Sequence, residues 1–545
     1  MLQEAIQSLW DVGKKAYVAF LDVRKAFDTV WYTGLLVKLH QKGVRGHIWH
    51  LIKNWYSSSF SCVLWDGHRS TAFELKQGVR QGGILSHSLY CIFVDELLDQ
   101  LSTSGYGVAI SDIYCGAPMY ADDIALVADS PSFLQAMLDI VHTYAQNWRY
   151  QLNSVKSVAM VIGETAATRR KERTIRKRNL GSSTLQEVDE QHHLGILRSV
   201  LNSTTSRTNE RATAGRSSFF VLNSVGSRFG CLHPLTSLRL YRSLCLPILL
   251  YGSELWFLTK TELLFLEQAH RKILRTILGL PLRCPSSSLT TLLGLQSVED
   301  NIKQRMLGFI VSTVNLPSDS LPRKILMARA NSSNPKGVVK RFNEVLSDLN
   351  LPDLSELLSS PPKTSIWKSH TKKHLALRAQ LEFLESCEMY HISSCHLKLL
   401  RPASHWSVTV GNPALTRINN FRIRLLVGCN GLEKDASRFR SRNTGAAAGD
   451  STCKLCASGT EDAEHFISSC QALSVKRLSL LQDAPPSVLA QLPDPTSDPK
   501  HFSDIMLIGT CWIDDPDVQC FCIQFLNQLK VTRANKLFPT TGTGP

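Results

Sequence analysis

The chain has 545 residues, 43% of them hydrophobic and 20% charged, with 61 Lys and Arg against 46 Asp and Glu and a net charge of +15. That length asks for about three or four folding units rather than one core, and the basic balance points toward a polyanion such as nucleic acid as partner. Neither a secreted nor a membrane protein is read: Met1-Leu-Gln-Glu has no basic lead before an apolar run, and the best apolar stretch, Leu244 to Leu258, is broken by Pro247 and Glu254. The 15 cysteines sit mostly among apolar neighbours, as at Cys245 and Cys520-Phe-Cys522, and read as reduced core residues. An intracellular protein, nuclear or cytoplasmic, is expected.

The first element is a short amphipathic helix through Leu2, Ile6, Leu9 and Trp10. Ala16 to Leu21 is a β-type run that ends in an acid, Asp22, and a helix through Leu35, Leu36 and Leu39 follows. Gln77 to Ser86 is a glycine-rich turn leading into the apolar helical run Leu89 to Leu101. Gly82 and Gly83 let backbone approach a ligand closely, and a helix start offers free N–H groups. Ala117 to Asp129 reads as strand, tight turn and strand, which lifts Asp122 and Asp123 to the tip of a hairpin. Carboxylates amid apolar neighbours need a cation. With Asp22 on a second strand end, they suit a pair of Mg²⁺ ions that clamp the oxygens of a phosphoryl transfer. Each segment alone has an ordinary reading, as a solvated turn or a plain helix start.

Arg169 to Arg178 is a dense basic run, either a solvated linker or a surface that tracks phosphates. A short β element is expected over 191–200. Helical periodicity then runs from about 205 to 312, through Leu238, Tyr241, Leu263, Leu266, Ile273 and Ile277, with breaks at Gly279-Leu-Pro281 and Cys284-Pro285. Ser318 to Pro362, rich in Pro, Ser and Asn clusters, reads as a variable spacer (316–364 as a domain), and periodicity returns over 365–442 with Leu375, Leu377, Leu381 and Leu384. Cys453, Cys456, His465 and Cys470 then form a C-x2-C-x8-H-x4-C pattern. Three thiolates and one imidazole suit a closed tetrahedral Zn²⁺ site, structural or nucleic-acid-binding because no coordination position stays open. A flexible tether is expected at Asn443 to Gly449 before this module (443–480), and poorly ordered stretches at Pro493 to Lys500 and Phe538 to Pro545 within the helical or irregular tail 481–545.

Asp22 with an aromatic five residues later, Gly78 to Ser86, and Tyr120-Ala-Asp-Asp123, in that order, closely resemble the palm of reverse transcriptases of non-LTR (LINE-type) retrotransposons. Further matches are Trp148 to Gly163, with Leu152-Asn153 and Lys156-Ser157; His193-Leu-Gly-Ile196, which looks like a primer-grip hairpin; Leu240 to Trp256, like the helical region after the thumb; and the Cys/His motif near the end. The resemblance covers about the first 310 residues and a shorter C-terminal stretch. It implies an α+β fold: a polymerase-type palm of antiparallel sheet and packed helices (1–165), a basic connection with the hairpin (166–200), a helical thumb (201–315), and a C-terminal helical region with a zinc knuckle. It assigns Asp22 and Asp122 as principal Mg²⁺ ligands with Asp123 supporting, Phe27 as a steric gate against a ribose 2′-OH, Gln81 and Gly82 to the incoming nucleotide and template, and Lys156 as proton donor to pyrophosphate. RNA template, DNA primer and deoxynucleotides are the implied partners, with no membrane.

Two departures stand out. The family continues Leu-Ser-Pro where this chain has Leu85-Ser86-His87, so the helix start lacks a rigid proline. Only one short helix precedes Asp22, where family members carry fingers and often an endonuclease, so an N-terminally truncated polymerase is expected. The alternative is a catalytically inactive or domesticated nucleic-acid-binding remnant.

Overall fold

In a computed structural model the described residues are 1–173, 175–201, 204–282, 284, 289–290, 295–331, 337–389, 404–444, 449–508 and 515–538. Pro285, residues 445–448 of the expected tether and residues 539–545 of the tail lie outside them. The fold is mixed helix and sheet, and the chain divides into two compact units: Met1–Arg207 with Leu255–Phe257 and Met306–Trp367, and Thr208–Glu254 with Leu258–Arg305 and Lys368–Pro545.

The first unit is built on a five-stranded sheet. Its strands are β1 (Ala16–Leu21), β2 (Met119–Tyr120), β3 (Asp123–Ala128), β4 (Val158–Ile162) and β5 (Gln186–Glu187), in the order β5-β4-β1-β3-β2. β1 is antiparallel to both neighbours, pairing Tyr17 with Ala128 and Leu21 with Ile124 on one side, Ala16 with Ile162 and Phe20 with Val158 on the other. All six residues of β1 are buried, as an unbroken apolar run requires when both faces of a sheet are covered. Alternation divides them. Tyr17, Ala19 and Leu21 join a core with Leu35, Tyr90, Leu97, Leu134 and Tyr144, while Ala16, Val18 and Phe20 join another with Leu2, Ile6, Val108, Cys115 and Ile325.

The first core is supplied by helices α1 (Leu2–Asp11) excepted, namely α2 (Tyr32–Gln41), α3 (Gly46–Ser57), α4 (Ser86–Thr103) and α5 (Pro131–Asn147). α5 starts where Ser130 accepts from the Phe133 N–H and Pro131 takes the first turn, and it buries Leu134, Met137, Leu138, Val141, Tyr144 and Ala145 at three- and four-residue steps. Lys38 of α2 is buried yet satisfied. Its ammonium donates to Glu96 and to the Tyr144 hydroxyl at 2.6 Å each and lies 3.7 Å from the Trp148 ring centroid.

On the opposite face, α1 is held by a segment more than three hundred residues downstream. Arg329 donates to Glu4 at 2.8 Å and Asp11 at 2.7 Å, the Val338 N–H reaches Glu4 at 3.3 Å, and Ile325 enters the core beside Ile6. The stretch expected to be a variable spacer is therefore largely helical, Leu321–Ala330, Gly337–Asp348 and Leu354–Ser359, and its buried residues belong to the first unit. Its Pro and Ser residues sit at helix starts and between helices, where they punctuate rather than disorder the chain.

The basic run also folds differently from a linker. α6 (Ala166–Glu172) carries Arg169 to Asp189, as Arg173 also does, and Arg176 donates to the fully buried carboxylate of Glu164 at 2.7 Å, which Lys15 contacts at 2.8 Å. These cations are matched by acids within the fold. The hairpin expected at 191–200 is present as β6 (Glu190–His193) and β7 (Ile196–Ser199), turning through Leu194 and Gly195, both with positive φ.

The second unit is helical. α7 (Lys260–Leu278) opens with a capping box between Thr259 and Glu262 and ends at Gly279, whose φ of 63° closes it. One core runs from Phe219, Tyr241 and Ile273 to Trp406, Phe421, Phe466 and Phe525, so the stretch expected as a separate thumb shares its interior with the C-terminal helices α8 (Pro413–Leu426), α10 (Pro499–Ile508) and α11 (Pro516–Leu537), while α9 (Glu433–Thr444) lies between α8 and α10 in the chain. The buried Arg422 of α8 donates to the Leu507 carbonyl and to Gln519, 2.7 Å each, tying three of them together. Among the described residues no helix is long and apolar enough to cross a membrane.

Arg329→Met removes both charged contacts to α1 and leaves Glu4 and Asp11 uncompensated. It is expected to lower stability by on the order of 2 kcal/mol, read as a lower urea midpoint with early loss of α1 protection in hydrogen exchange.

Candidate active site and metal centre

Asp22 is the residue that follows β1. The β1–β3 ladder ends at Leu21 opposite Ile124, so Asp22 and Asp123 are the residues next beyond that last pair. Its position is held from the other side: the Asp22 N–H donates to the Ser157 hydroxyl at 3.0 Å, Asn153 donates through its side chain to the carboxylate at 2.9 Å, and the Asn153 N–H donates to the Asp22 carbonyl at 2.9 Å. Tyr120 pairs with Asp123 across a two-residue turn in which Ala121 takes a φ of 53°. A larger β-branched residue would be strained there. Asp122 and Asp123 thus stand at the hairpin tip. Asp122 is half-buried, and Asp123 is exposed as a whole residue. Desolvation of its carboxyl, then the charges of Asp122 and Asp22, push Asp123 above the ordinary carboxylate range.

Phe27 lies on the turn after β1, half-buried, its ring stacked on Tyr90 of α4 at 4.8 Å and 23°. The Tyr90 and Tyr150 hydroxyls meet at 2.7 Å in the core. Tyr150 in turn precedes the 152–157 segment that braces Asp22. Gln81 donates to the Asp28 carboxylate at 3.0 Å, and the Val79 N–H donates to the Phe27 carbonyl at 2.7 Å, so the glycine-rich turn is fastened to the turn bearing Phe27. Gly78 is required by contact. Its φ is 96°, and a Cβ would lie 2.7 Å from the Asp28 carbonyl oxygen. Gly82 has a φ of 77° with nothing within 4 Å of a Cβ position, so its backbone borders open space. The absent proline at 87 is made up for by Ser86, whose hydroxyl donates to the Arg80 carbonyl at 2.5 Å and whose N–H donates to the Gly83 carbonyl. Lys156 is exposed, and among the described residues its ammonium has no ion-pair partner.

Asp22 follows β1, Asp122 and Asp123 stand at the tip of the hairpin between β2 and β3, and Gln81 is tied through Asp28 to the turn bearing Phe27. Sequence reasoning missed Tyr90 and Tyr150, which look like ordinary core residues; the pairing of residues sixty apart leaves no local signal.

Residues 1–197 match the family described as reverse transcriptase (RNA-dependent DNA polymerase). That match takes in 197 of the 545 residues. Similar proteins are the RNA-directed DNA polymerase from mobile element jockey of Drosophila melanogaster, 25% identical over 351 residues (62% of this chain, 36% of that protein), and the probable RNA-directed DNA polymerase from transposon X-element of the same species, 23% identical over 356 residues (62% and 37%). A retrovirus-related Pol polyprotein from type-2 retrotransposable element R2DM is 29% identical over 188 residues, 34% of this chain and 18% of that protein. The chain therefore spans little more than a third of the jockey and X-element proteins it matches. Among solved structures, apo telomerase from Candida Tropicalis covers 68% of this chain and 55% of its own at 14% identity and a TM-score of 0.30, too slight a likeness to carry an argument.

A second constellation belongs to the second unit. The ligand atoms of Cys453, Cys456, His465 and Cys470 all lie within 4.8 Å of one another, with Cys453 Sγ to Cys470 Sγ 3.9 Å and Cys456 Sγ to His465 Nε2 3.3 Å. Tetrahedral Zn²⁺ with bonds of about 2.3 Å to sulfur and 2.0 Å to nitrogen separates such atoms by roughly 3.5–3.8 Å. The donor set fits. The knuckle is closed by the Cys453 N–H to Gly459 carbonyl bond, and the His465 N–H donates to Asp462 at 3.0 Å. Desolvation opposes ionisation of Cys456, but hydrogen bonds from the Ser458 hydroxyl and backbone draw its thiol down to about 6; burial and the neighbouring sulfurs push Cys470 up to about 12.

Gly78→Ala, clashing with the Asp28 carbonyl in a left-handed backbone, is expected to cost more than about 2 kcal/mol, whereas Gly82→Ala costs about 1 kcal/mol of backbone strain alone. Equilibrium denaturation of the two variants checks the order.

Proposed function

We propose that the chain acts as an RNA-directed DNA polymerase of a non-LTR retrotransposon, joining a primer 3′-OH to the α-phosphate of a deoxynucleotide on an RNA template. The observation that carries it is the placement of three acids: Asp22 and Asp123 next beyond the last β1–β3 pair, Asp122 in the turn, and Asp123 raised by burial and by the charges of the other two. Three hard-oxygen donors that repel one another fit divalent metal. Bound by them, two Mg²⁺ ions supply the charge neutralisation that in-line phosphoryl transfer needs.

The chain's own residues hold and select. Asp22 and Asp122 are the principal ligands and Asp123 the supporting one, with Asn153 and Ser157 keeping Asp22 in place. Phe27, backed by Tyr90, bars a 2′-OH, and Gln81 and Gly82 border the nucleotide and template. Lys156, not tied up in an ion pair among the described residues, is positioned in an exposed turn from which it donates a proton to pyrophosphate. In this reading the sheet and its helices are the palm, the β6–β7 hairpin is the primer grip, and the helices within 201–315 form the thumb. The Cys/His set holds one structural Zn²⁺.

Primer extension on an RNA template with Mg²⁺ tests the proposal. The chain should extend at least about a thousandfold faster than Asp122→Asn/Asp123→Asn. Extension no faster than that control overturns it in favour of a nucleic-acid-binding remnant. Phe27→Val should raise ribonucleotide incorporation relative to deoxynucleotide about tenfold or more while leaving deoxynucleotide extension measurable, assayed with single ribonucleotide substitutions.

A further inference from the structure

Glu461, in the knuckle between Cys456 and His465, is 1% exposed and gathers contacts from three directions. Arg533 of α11 grips it with two bonds, Nε at 2.8 Å and Nη2 at 2.9 Å. The backbone N–H of Glu433, at the start of α9, donates to it at 3.0 Å. The Cys453 thiol lies 3.8 Å from its Oε1. A carboxylate this close to a ligand sulfur is an electrostatic burden once metal is bound. Three thiolates and one imidazole around Zn²⁺ already leave the centre net negative, and in a buried setting a further uncompensated anion disfavours it strongly. The guanidinium of Arg533 is the compensating charge. Around the same loop, Arg477 donates to the Cys470 carbonyl at 3.2 Å and Lys536 of α11 to the Ala472 carbonyl at 2.7 Å. The remaining faces of Cys453 and Cys470 share a core with Phe525, Leu526 and Leu529 of α11.

We propose that Arg533 is a positioning residue of the metal centre: through Glu461 it couples metal binding at the knuckle to the docking of α11, so that knuckle, α9 start and α11 form one metal-dependent module. The proposal rests on the reading that the Cys/His set holds Zn²⁺. Outer-shell partners of this kind typically change metal affinity 10- to 100-fold when removed. Here the charge balance makes a sharper demand than simple packing does. Removing Arg533 alone strands Glu461 beside the metal, whereas neutralising Glu461 at the same time relieves the repulsion and keeps an acceptor for the Glu433 N–H.

The experiment measures Zn²⁺ content and affinity of the full chain by metal analysis and chelator competition. Wild type should carry one zinc; Arg533→Met should bind it about 10- to 100-fold more weakly; Arg533→Lys should retain most of the affinity; and Arg533→Met/Glu461→Gln should regain most of what the single variant lost. Should Arg533→Met not fold, hydrogen exchange on the wild-type chain decides: stripping zinc should remove protection from α11 while α7 stays protected. Wild type without zinc overturns the underlying metal reading. Zinc bound with unchanged affinity in Arg533→Met, a double variant no tighter than the single, or α11 protection indifferent to zinc overturns the coupling itself.

Discussion

The pairing register of β1 against β3 is the constraint on which the acid cluster depends. A slip of one residue would turn Asp22 to the opposite face of the sheet and carry every apolar side chain of β1 into the wrong core. That slip is prevented because both faces are buried: Tyr17, Ala19 and Leu21 on one side, and Ala16, Val18 and Phe20 on the other, each fit only their own core. Hydrophobic burial thus sets the position of a hydrophilic site. Asn153 and Ser157 then fasten the strand end where the apolar run stops.

Several buried charges elsewhere in the fold meet a charge of opposite sign. Lys38 meets Glu96, Glu164 meets Arg176 and Lys15, Arg329 meets Glu4 and Asp11, and Glu461 meets Arg533. Asp123 stands out against those pairs, since the charges that act on it are those of Asp122 and Asp22, both acids. Acids placed near one another favour a cation there. The same contrast separates the two candidate centres. Hard oxygens lie at a strand end and a turn, while soft sulfurs and an imidazole converge in a knuckle whose buried carboxylate, Glu461, is neutralised.

Local chemistry was legible from the residues. The strand ending at Asp22, the tight turn at Ala121, the glycine turn before α4, the Gly279 helix stop and the knuckle spacing all follow from short-range rules of propensity, turn geometry and ligand spacing. Segments whose role depends on distant partners were misread. Leu321 to Ser359 looked like a spacer because its Pro and Ser residues break periodicity, yet Arg329 and Ile325 fasten it to α1. The basic run looked solvent-facing, because nothing within it announces that Glu164, Glu187 and Asp189 will fold back against it.

By itself, then, the sequence determined which side chains are able to do chemistry and on what kind of local element each sits, since spacing, turns and alternation act over a few residues. Tertiary structure alone decided which of them meet. The Tyr90–Tyr150 hydroxyl pair behind Phe27, the brace of Asn153 on Asp22, and the reach of Arg533 from α11 to the knuckle all join residues far apart in the chain. Such contacts are set by how whole elements pack to bury apolar surface, a global balance that no short stretch of sequence encodes.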